Sequence, residues 1–271
     1  MTTDVDTEVI DTQVVVIGAG QAGLASAYFL ARAGLQAGPG FVVLDANAGP
    51  GGAWQHRWPS LRLDLTNHVH DLPGLTFEPA SQLLPAAEAV PAYFAAYEQR
   101  LGLDVRRPVQ VRSVRVADDS RLVVSTDGGT WRARALVSAT GTWTRPFWPT
   151  YPGQETFAGR QLHTVDYVAP DEFAGQHVVV VGGGISAVQL LGEISQVTST
   201  TWVTRRPPTW RDEEFTPEHG RAAVALVEQR VAAGLLPESV VSVTGLPSQR
   251  SSGGWVREAQ ERGVLERLLM F

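Results

Sequence analysis

Cysteine and lysine are both absent from the 271 residues. Without thiols there is no disulfide framework, no zinc ribbon and no redox-active Cys pair. Without a lysine amine, a Walker-type phosphate loop and a Schiff-base enzyme are both disfavoured. All 22 basic residues are arginine, no basic run occurs and the net charge is −6, so a nucleic-acid partner is not expected. No apolar run approaches membrane-spanning length, and the acidic, polar first dozen residues do not read as a signal peptide. Internal repeats and low-complexity segments are missing too, apart from two related glycine-rich units. What is present is a 44% hydrophobic chain, enough for one large domain or two of ordinary size. The expectation is a soluble, cytoplasmic α/β enzyme acting on a small molecule, with no metal, no membrane and no indicated oligomer.

The first unit begins with the continuous apolar run at residues 13–17, which reads as a buried parallel strand. It enters Gly18-Ala-Gly20-Gln-Ala-Gly23, and a helical spacing through Leu24, Tyr28, Ala31 and Leu35 follows, ending at Gly34. A second strand, Phe41–Leu44, closes on Asp45. In such a βαβ unit Gly18 makes the tight turn. Gly20 lets backbone amides approach a pyrophosphate, and Gly23 lets helix and strand pack closely. Asp45 is placed to accept hydrogen bonds from an adenosine ribose. A GxGxxG alone is weak, but the strand–turn–helix–strand–acid order makes it specific.

Downstream, Gly51-Gly52-Ala-Trp54 lets the chain pass close to a flat ligand. Trp58 and Leu61 could line a pocket or belong to the core. His68 and His70 would share one strand face, and two partly solvated histidines are favoured over a metal pair. Pro91–Leu101 has the spacing of an amphipathic helix, with Tyr93, Phe94, Tyr97 and Leu101 on its core side. Strands are predicted at 109–116, 121–125 and 130–137, with Asp127-Gly128-Gly129 as a hairpin turn between the last two. The last strand runs into Ser138-Ala139-Thr140-Gly141. Residues 142–153, with three prolines and four bulky aromatics, read as an ordered linker packed between domains.

The second unit starts with a strand at 176–181 that enters Gly182-Gly183-Gly184-Ile-Ser186-Ala187, with Ala187 in the place of a third glycine. A helix through Val188, Leu191 and Ile194 follows, then a strand at 201–204 that ends on Arg205-Arg206 where the first unit has an acid. Guanidinium groups there favour a 2′-phosphate through charge-assisted hydrogen bonds; a solvated strand end is the plainer alternative. So the first unit reads as an FAD site and the second as an NADPH site. Helices are predicted at 217–235 and over the apolar spacing of 263–271, with a turn at 251–254.

The order GAGQAG, GGAW, SATG, FAGRQLHTVDY, GGGISA resembles that of the class B flavin-dependent monooxygenases. These include the flavin-containing, N-hydroxylating and Baeyer–Villiger enzymes. Phe157, Gly159, His163 and Tyr167 match their FxGxxxHxxxY fingerprint, and Tyr167 favours the heteroatom-oxidising branch. The resemblance covers roughly residues 13–206. It implies two Rossmann-like domains with parallel sheets and a small antiparallel β element. An FAD domain is expected over 1–144, and a linker with the NADPH domain over 145–271. It further implies that Gly52 and Trp54 border the flavin and that Ala139, Thr140 and Gly141 lie against its nucleotide. Gly182, Gly184, Ser186, Ala187, Arg205 and Arg206 are expected at NADPH. Asn67 is the match for an asparagine near the reactive flavin face, with a turn residue as the equal alternative. His163 is a candidate for positioning the linker or the nicotinamide site, with a buried, satisfied histidine as its alternative.

The implied chemistry is hydride transfer from NADPH to FAD and formation of a C4a-hydroperoxyflavin with O₂. Oxygen would then pass to an amine nitrogen or sulfur, less expectedly to a ketone. In the family the chain normally returns to complete the FAD domain; this sequence shows no such return, so an incomplete FAD domain is expected. An NADPH oxidase and a non-catalytic dinucleotide-binding module are the alternatives.

Overall fold

The computed structural model describes residues 9–66, 68–236, 244–248, 250 and 254–270. Asn67, residues 251–253 of the expected turn, and Phe271 lie outside the described residues. The chain divides into two compact units, Met1–Trp58 with Asp71–Val165, and Pro59–His70 with Asp166–Phe271.

The first unit opens with β1 (Val9–Asp11), a three-residue strand, exposed throughout, that the sequence reading did not anticipate. β2 (Val14–Ile17), α1 (Gln21–Arg32) and β3 (Phe41–Leu44) then form the expected βαβ unit. β2 and β3 run parallel, with Val15 beside Val42 and Ile17 beside Leu44. α1 buries Gly23, Leu24 and Ala27, a narrow face that suits close packing. Gly34, in the left-handed region at φ 90°, follows the helix end.

The helix expected from Pro91 instead starts five residues earlier, as α2 (Ala86–Leu101), with Pro91 inside it. Proline there removes one intrahelical donor. Burial of Val90, Tyr93, Phe94 and Tyr97 outweighs that cost, since each large side chain contributes about 1.5–3 kcal/mol.

β4 (Val105–Arg106), β5 (Val111–Val116), β6 (Leu122–Thr126), β7 (Thr130–Ala133) and β8 (Ala135–Ser138) complete the unit. One sheet is parallel, in the order β4-β3-β2-β8; the other runs β1-β7-β6-β5, with the β6–β7 hairpin turning at Asp127-Gly128-Gly129. The single strand expected over 130–137 is therefore two. The amides of Arg134 and Ala135 both donate to the Gln13 carbonyl, at 2.9 and 3.1 Å, and the chain changes sheets there. The two sheets share a core of Val15, Val42, Leu44, Val124, Trp131 and Ala133.

In the second unit β9 (His177–Val181), α3 (Ile185–Ile194) and β10 (Ser199–Thr204) repeat the βαβ pattern with parallel strands. β11 (Trp210–Arg211), α4 (Pro217–Ala232), β12 (Leu246–Pro247) and α5 (Trp255–Glu261) follow. The apolar end expected to be helical is β13 (Arg267–Leu269), parallel to β10. Gly263, at φ 73°, has already broken the helix, and the free edge of β10 supplies backbone partners. The core joins Val188 and Leu191 of α3 to Trp202, Leu246 and Val256. Among the described residues no helix is long and apolar enough to cross a membrane.

Candidate functional site

The first glycine turn is a meeting of three chain segments. Gly18, at φ 99°, leaves β2 so close to the 138–141 segment that a Cβ on it would stand 2.4 Å from the Ala139 carbonyl oxygen. A Cβ on Gly23 would stand 1.8 Å from the Gly18 carbonyl oxygen, so any side chain there would push α1 off the strand. Gly52, at φ 52°, brings the GGAW segment in, and its Cβ would stand 2.7 Å from the Gly20 Cα. Gly20 itself is different. A Cβ on it would meet only the Gly52 Cα, at 4.0 Å, so packing does not demand glycine there. Gly51 is held by the ring of Pro91, whose Cγ would lie 2.6 Å from an added Cβ, which gives the proline inside α2 a partner.

The electrostatics of the helix starts point the same way. Neither α1 nor α3 has a side-chain cap or an acid in its first turn. α2, α4 and α5 carry Glu88, Glu218 and Glu258 there, and α4 also has a Thr216–His219 capping box. Uncapped amides and a helix dipole without a local acid favour an anion. Among the described residues, the two helices left in that condition are the two that follow glycine turns. Those turns fit a dinucleotide diphosphate.

Asp45 follows β3 and is 3% exposed. Its Oδ2 accepts from Arg107 Nε at 2.8 Å and its Oδ1 from Asn47 Nδ2 at 3.0 Å. Arg107 also makes a bidentate pair with Glu98, at 2.7 and 2.6 Å. The expected ribose acid is thus one member of a buried cluster of two carboxylates and one guanidinium. Oδ1 also accepts from the Asn47 backbone amide at 3.4 Å, so the spare acceptor capacity lies at Oδ2.

The second turn is more open. Added Cβ atoms on Gly182 and Gly184 would meet nothing within 4 Å, and one on Gly183 would meet only Thr204 Cβ at 3.8 Å. The Trp202 indole donates to the Gly182 carbonyl at 2.7 Å and so fixes the turn to β10. Ser186 and Ala187 lie in the first turn of α3, with Ala187 buried. Arg205 and Arg206 leave β10 exposed, at the position that Asp45 holds after β3. If both grip a 2′-phosphate, Arg205→Ala with Arg206→Ala should weaken NADPH binding by at least about tenfold and leave NADH unchanged, since such contacts contribute about 1.5–3 kcal/mol each. Titration with both nucleotides checks this, and an unchanged preference would count against the assignment.

The fingerprint residues fall on both sides of the division. In the first unit Phe157 is largely exposed and its own ring covers Gly159. His163 Nδ1 accepts from the Val165 amide at 3.3 Å, beside Trp148 with ring centres 5.8 Å apart. In the second unit Tyr167 is buried, stacks on Phe173 and donates to Glu193 Oε2 of α3 at 2.7 Å. Burial, then the Glu193 bond, push its phenol well above the usual range. The stability tied to that shift is complete below the ordinary phenol value of about 10 and is lost as pH rises beyond it. Tyr167→Phe should cost about 1–2 kcal/mol at neutral pH and flatten part of the alkaline loss, which denaturant melts at several pH values would show.

His68 and His70 lie with ring centres 5.1 Å apart, and His70 packs on Phe215. Among the described residues no group of three His, Cys, Asp or Glu could hold a metal ion. Trp58 and Leu61 are buried. Residues that sequence reasoning missed are Arg107, Glu98, Asn47, Arg57 and Trp143. Asn47 is a near neighbour of Asp45 in sequence; the fold brings Arg107 to Asp45 and Glu98, and Trp143 to Arg57.

The two βαβ units, each turning at a glycine-rich loop, define a Rossmann-type α/β fold, and comparison with known proteins agrees. Residues 15–238 match the family described as pyridine nucleotide-disulphide oxidoreductase. A flavin-containing monooxygenase from Stenotrophomonas maltophilia is 38% identical, with a TM-score of 0.78 over 96% of this chain and 71% of that one. The indole-3-pyruvate monooxygenase YUCCA1 of Oryza sativa subsp. japonica is 35% identical over 181 residues, 65% of this chain and 43% of that protein. A Baeyer-Villiger monooxygenase of Streptomyces coelicolor is 30% identical over 202 residues, 73% of this chain and 38% of that one. The chain belongs to the pyridine nucleotide-disulphide oxidoreductase family, in its flavin-dependent monooxygenase branch. It spans about half the length of the curated relatives it matches, 43%, 55% and 38% for three of them. With no cysteine, it has no thiol pair for the disulphide chemistry in the family's description.

Proposed function

We propose that the chain binds FAD at the first glycine turn and NADPH at the second, and serves as a monooxygenase that oxygenates an amine nitrogen or a sulfur with O₂. The observation that carries this reading is the contrast between the two βαβ units. Both have an uncapped helix behind a glycine turn, but one second strand ends in buried Asp45 and the other in exposed Arg205-Arg206. When bound, FAD supplies the redox chemistry, accepting a hydride from NADPH and reacting in its reduced form with O₂.

The protein's part is to bind and orient. Gly20 and Gly52 give the FAD diphosphate backbone to lie on, with α1 amides as donors. Asp45, held by Arg107 and Asn47, accepts from the adenosine ribose. Trp54 borders the flavin, and Ala139, Thr140 and Gly141 lie along its nucleotide. Gly182, Gly184, Ser186 and Ala187 hold the NADPH diphosphate, and Arg205 and Arg206 its 2′-phosphate. His163 accepts the Val165 amide at Nδ1, an anchored ring that suits a positioning role. Asn67 is assigned to the reactive flavin face from sequence spacing. The domains are drawn at 1–144 for FAD and at 145–271 for the linker with the fingerprint followed by the NADPH domain.

The experiment is purification with added FAD, followed by NADPH, O₂, peroxide and product balances with amine and thioether substrates. Bound yellow flavin and NADPH use matched by oxygenated product are expected. Peroxide equal to NADPH consumed would mark an oxidase instead. A colourless protein that consumes no NADPH would sink both readings and leave a binding module.

A further inference from the structure

Arg57 pairs with no carboxylate among the described residues. It follows the short 3₁₀ turn Gly52–His56. Its guanidinium carbon lies 4.5 Å from the ring centre of Trp143 and 5.7 Å from that of Trp54. The His56 ring stacks on the same Trp143, with centres 6.5 Å apart and planes 11° from parallel. Arg57 Nε is buried with no hydrogen-bond partner among the described residues. Arg107, in contrast, is matched by Asp45 and Glu98. Burial pushes the Arg57 guanidinium below the usual arginine range. Stacking on two indoles leaves the buried Nε–H of this half-buried guanidinium without an acceptor, and an anion would supply one.

The location says which anion. Arg57 is five residues past Gly52, which rests on Gly20. Trp143 is two residues past Gly141, at the end of the segment whose Ala139 rests on Gly18. The two segments that clasp the guanidinium are the two that close on the first glycine turn. We infer that Arg57 is the counter-cation for the diphosphate of the flavin dinucleotide held at that turn, with Trp54 and Trp143 fixing the guanidinium plane. This rests on the assignment of FAD to the first turn. It makes Arg57 a cofactor-binding residue in addition to the glycines, one that acts through full charge where they offer backbone.

The test is binding of FAD, ADP and adenosine to the full chain and to Arg57→Gln and Arg57→Lys. Flavin fluorescence reads FAD; calorimetry reads the other two. Arg57→Gln should weaken FAD and ADP in parallel by about tenfold or more and leave adenosine, which has no phosphate, within twofold. Arg57→Lys should recover part of the loss, because it restores the charge without the planar stack. Equal losses for ADP and adenosine would reveal a purely structural role. A loss for FAD with ADP unchanged would place the anion on the flavin ring, and either result overturns the inference. If Arg57→Gln does not fold, Arg57→Lys decides alone, because its ADP-to-adenosine ratio must still fall. If the unaltered chain binds ADP but no FAD, the flavin assignment fails and this inference with it. Unaltered FAD binding with Arg57→Gln at the parental affinity fails this inference alone.

Discussion

Gly20→Val is expected to abolish FAD binding and leave the fold standing. A side chain at Gly20 would find only the Gly52 Cα, 4.0 Å from its first carbon, and the backbone there, at φ −80°, is one that valine adopts. The protein therefore loses only the helix-cap preference, about 1 kcal/mol. The space a valine would fill is the space a diphosphate needs to reach the α1 amides. At least a hundredfold loss of FAD affinity is expected, with the melting temperature of the flavin-free protein within a few degrees of the parent. Gly23→Val is the contrasting control. Its Cβ would lie 1.8 Å from the Gly18 carbonyl oxygen, so the fold itself should fail. Flavin retained by Gly20→Val at the parental stoichiometry would mean that the first turn has been misassigned.

Arg107→Met should be the most destabilising single change outside the glycine turns. Arg107 is 12% exposed, against 4% for Asp45 and 13% for Glu98 at the side chain. Removing the cation leaves two carboxylates facing one another without compensation, a situation that costs about 3–5 kcal/mol. That is a large share of the total stability of a domain this size. The loss should be partly reversed in the triple variant Arg107→Met, Glu98→Gln, Asp45→Asn, because no charge then remains to be compensated. Urea denaturation of the parent and the two variants checks it. A single-variant loss below about 1 kcal/mol would show that the cluster is open to water. The prediction bears on function as well, since Asp45 owes its orientation to Arg107.

Much of this could be read from the chain. Both βαβ units were legible because each glycine turn depends on residues adjacent in sequence, and because short apolar runs mark buried parallel strands. The hairpin at Asp127-Gly128-Gly129 was legible for the same local reason. The errors came where two local signals competed. Pro91 resembled a helix start because proline suits that position, yet it sits inside α2, where apolar burial and the contact with Gly51 decide. The spacing of Val264, Leu265, Leu268 and Leu269 suited a helix, but a free strand edge at β10 gave the backbone a better set of partners.

What the sequence determined by itself was the pair of units, the residues at each turn, and the opposite charges after β3 and β10. These follow from local geometry, since a turn, a helix start and the residue after a strand are fixed by near neighbours along the chain. What only the tertiary structure decided is who meets whom at the first turn. Asp45 and Arg107 stand 62 residues apart in sequence, and Arg57 meets Trp143 across a still longer separation. No periodicity or motif links such pairs. Burial decides them, because a charge removed from water must find its partner among the groups that the fold brings within reach.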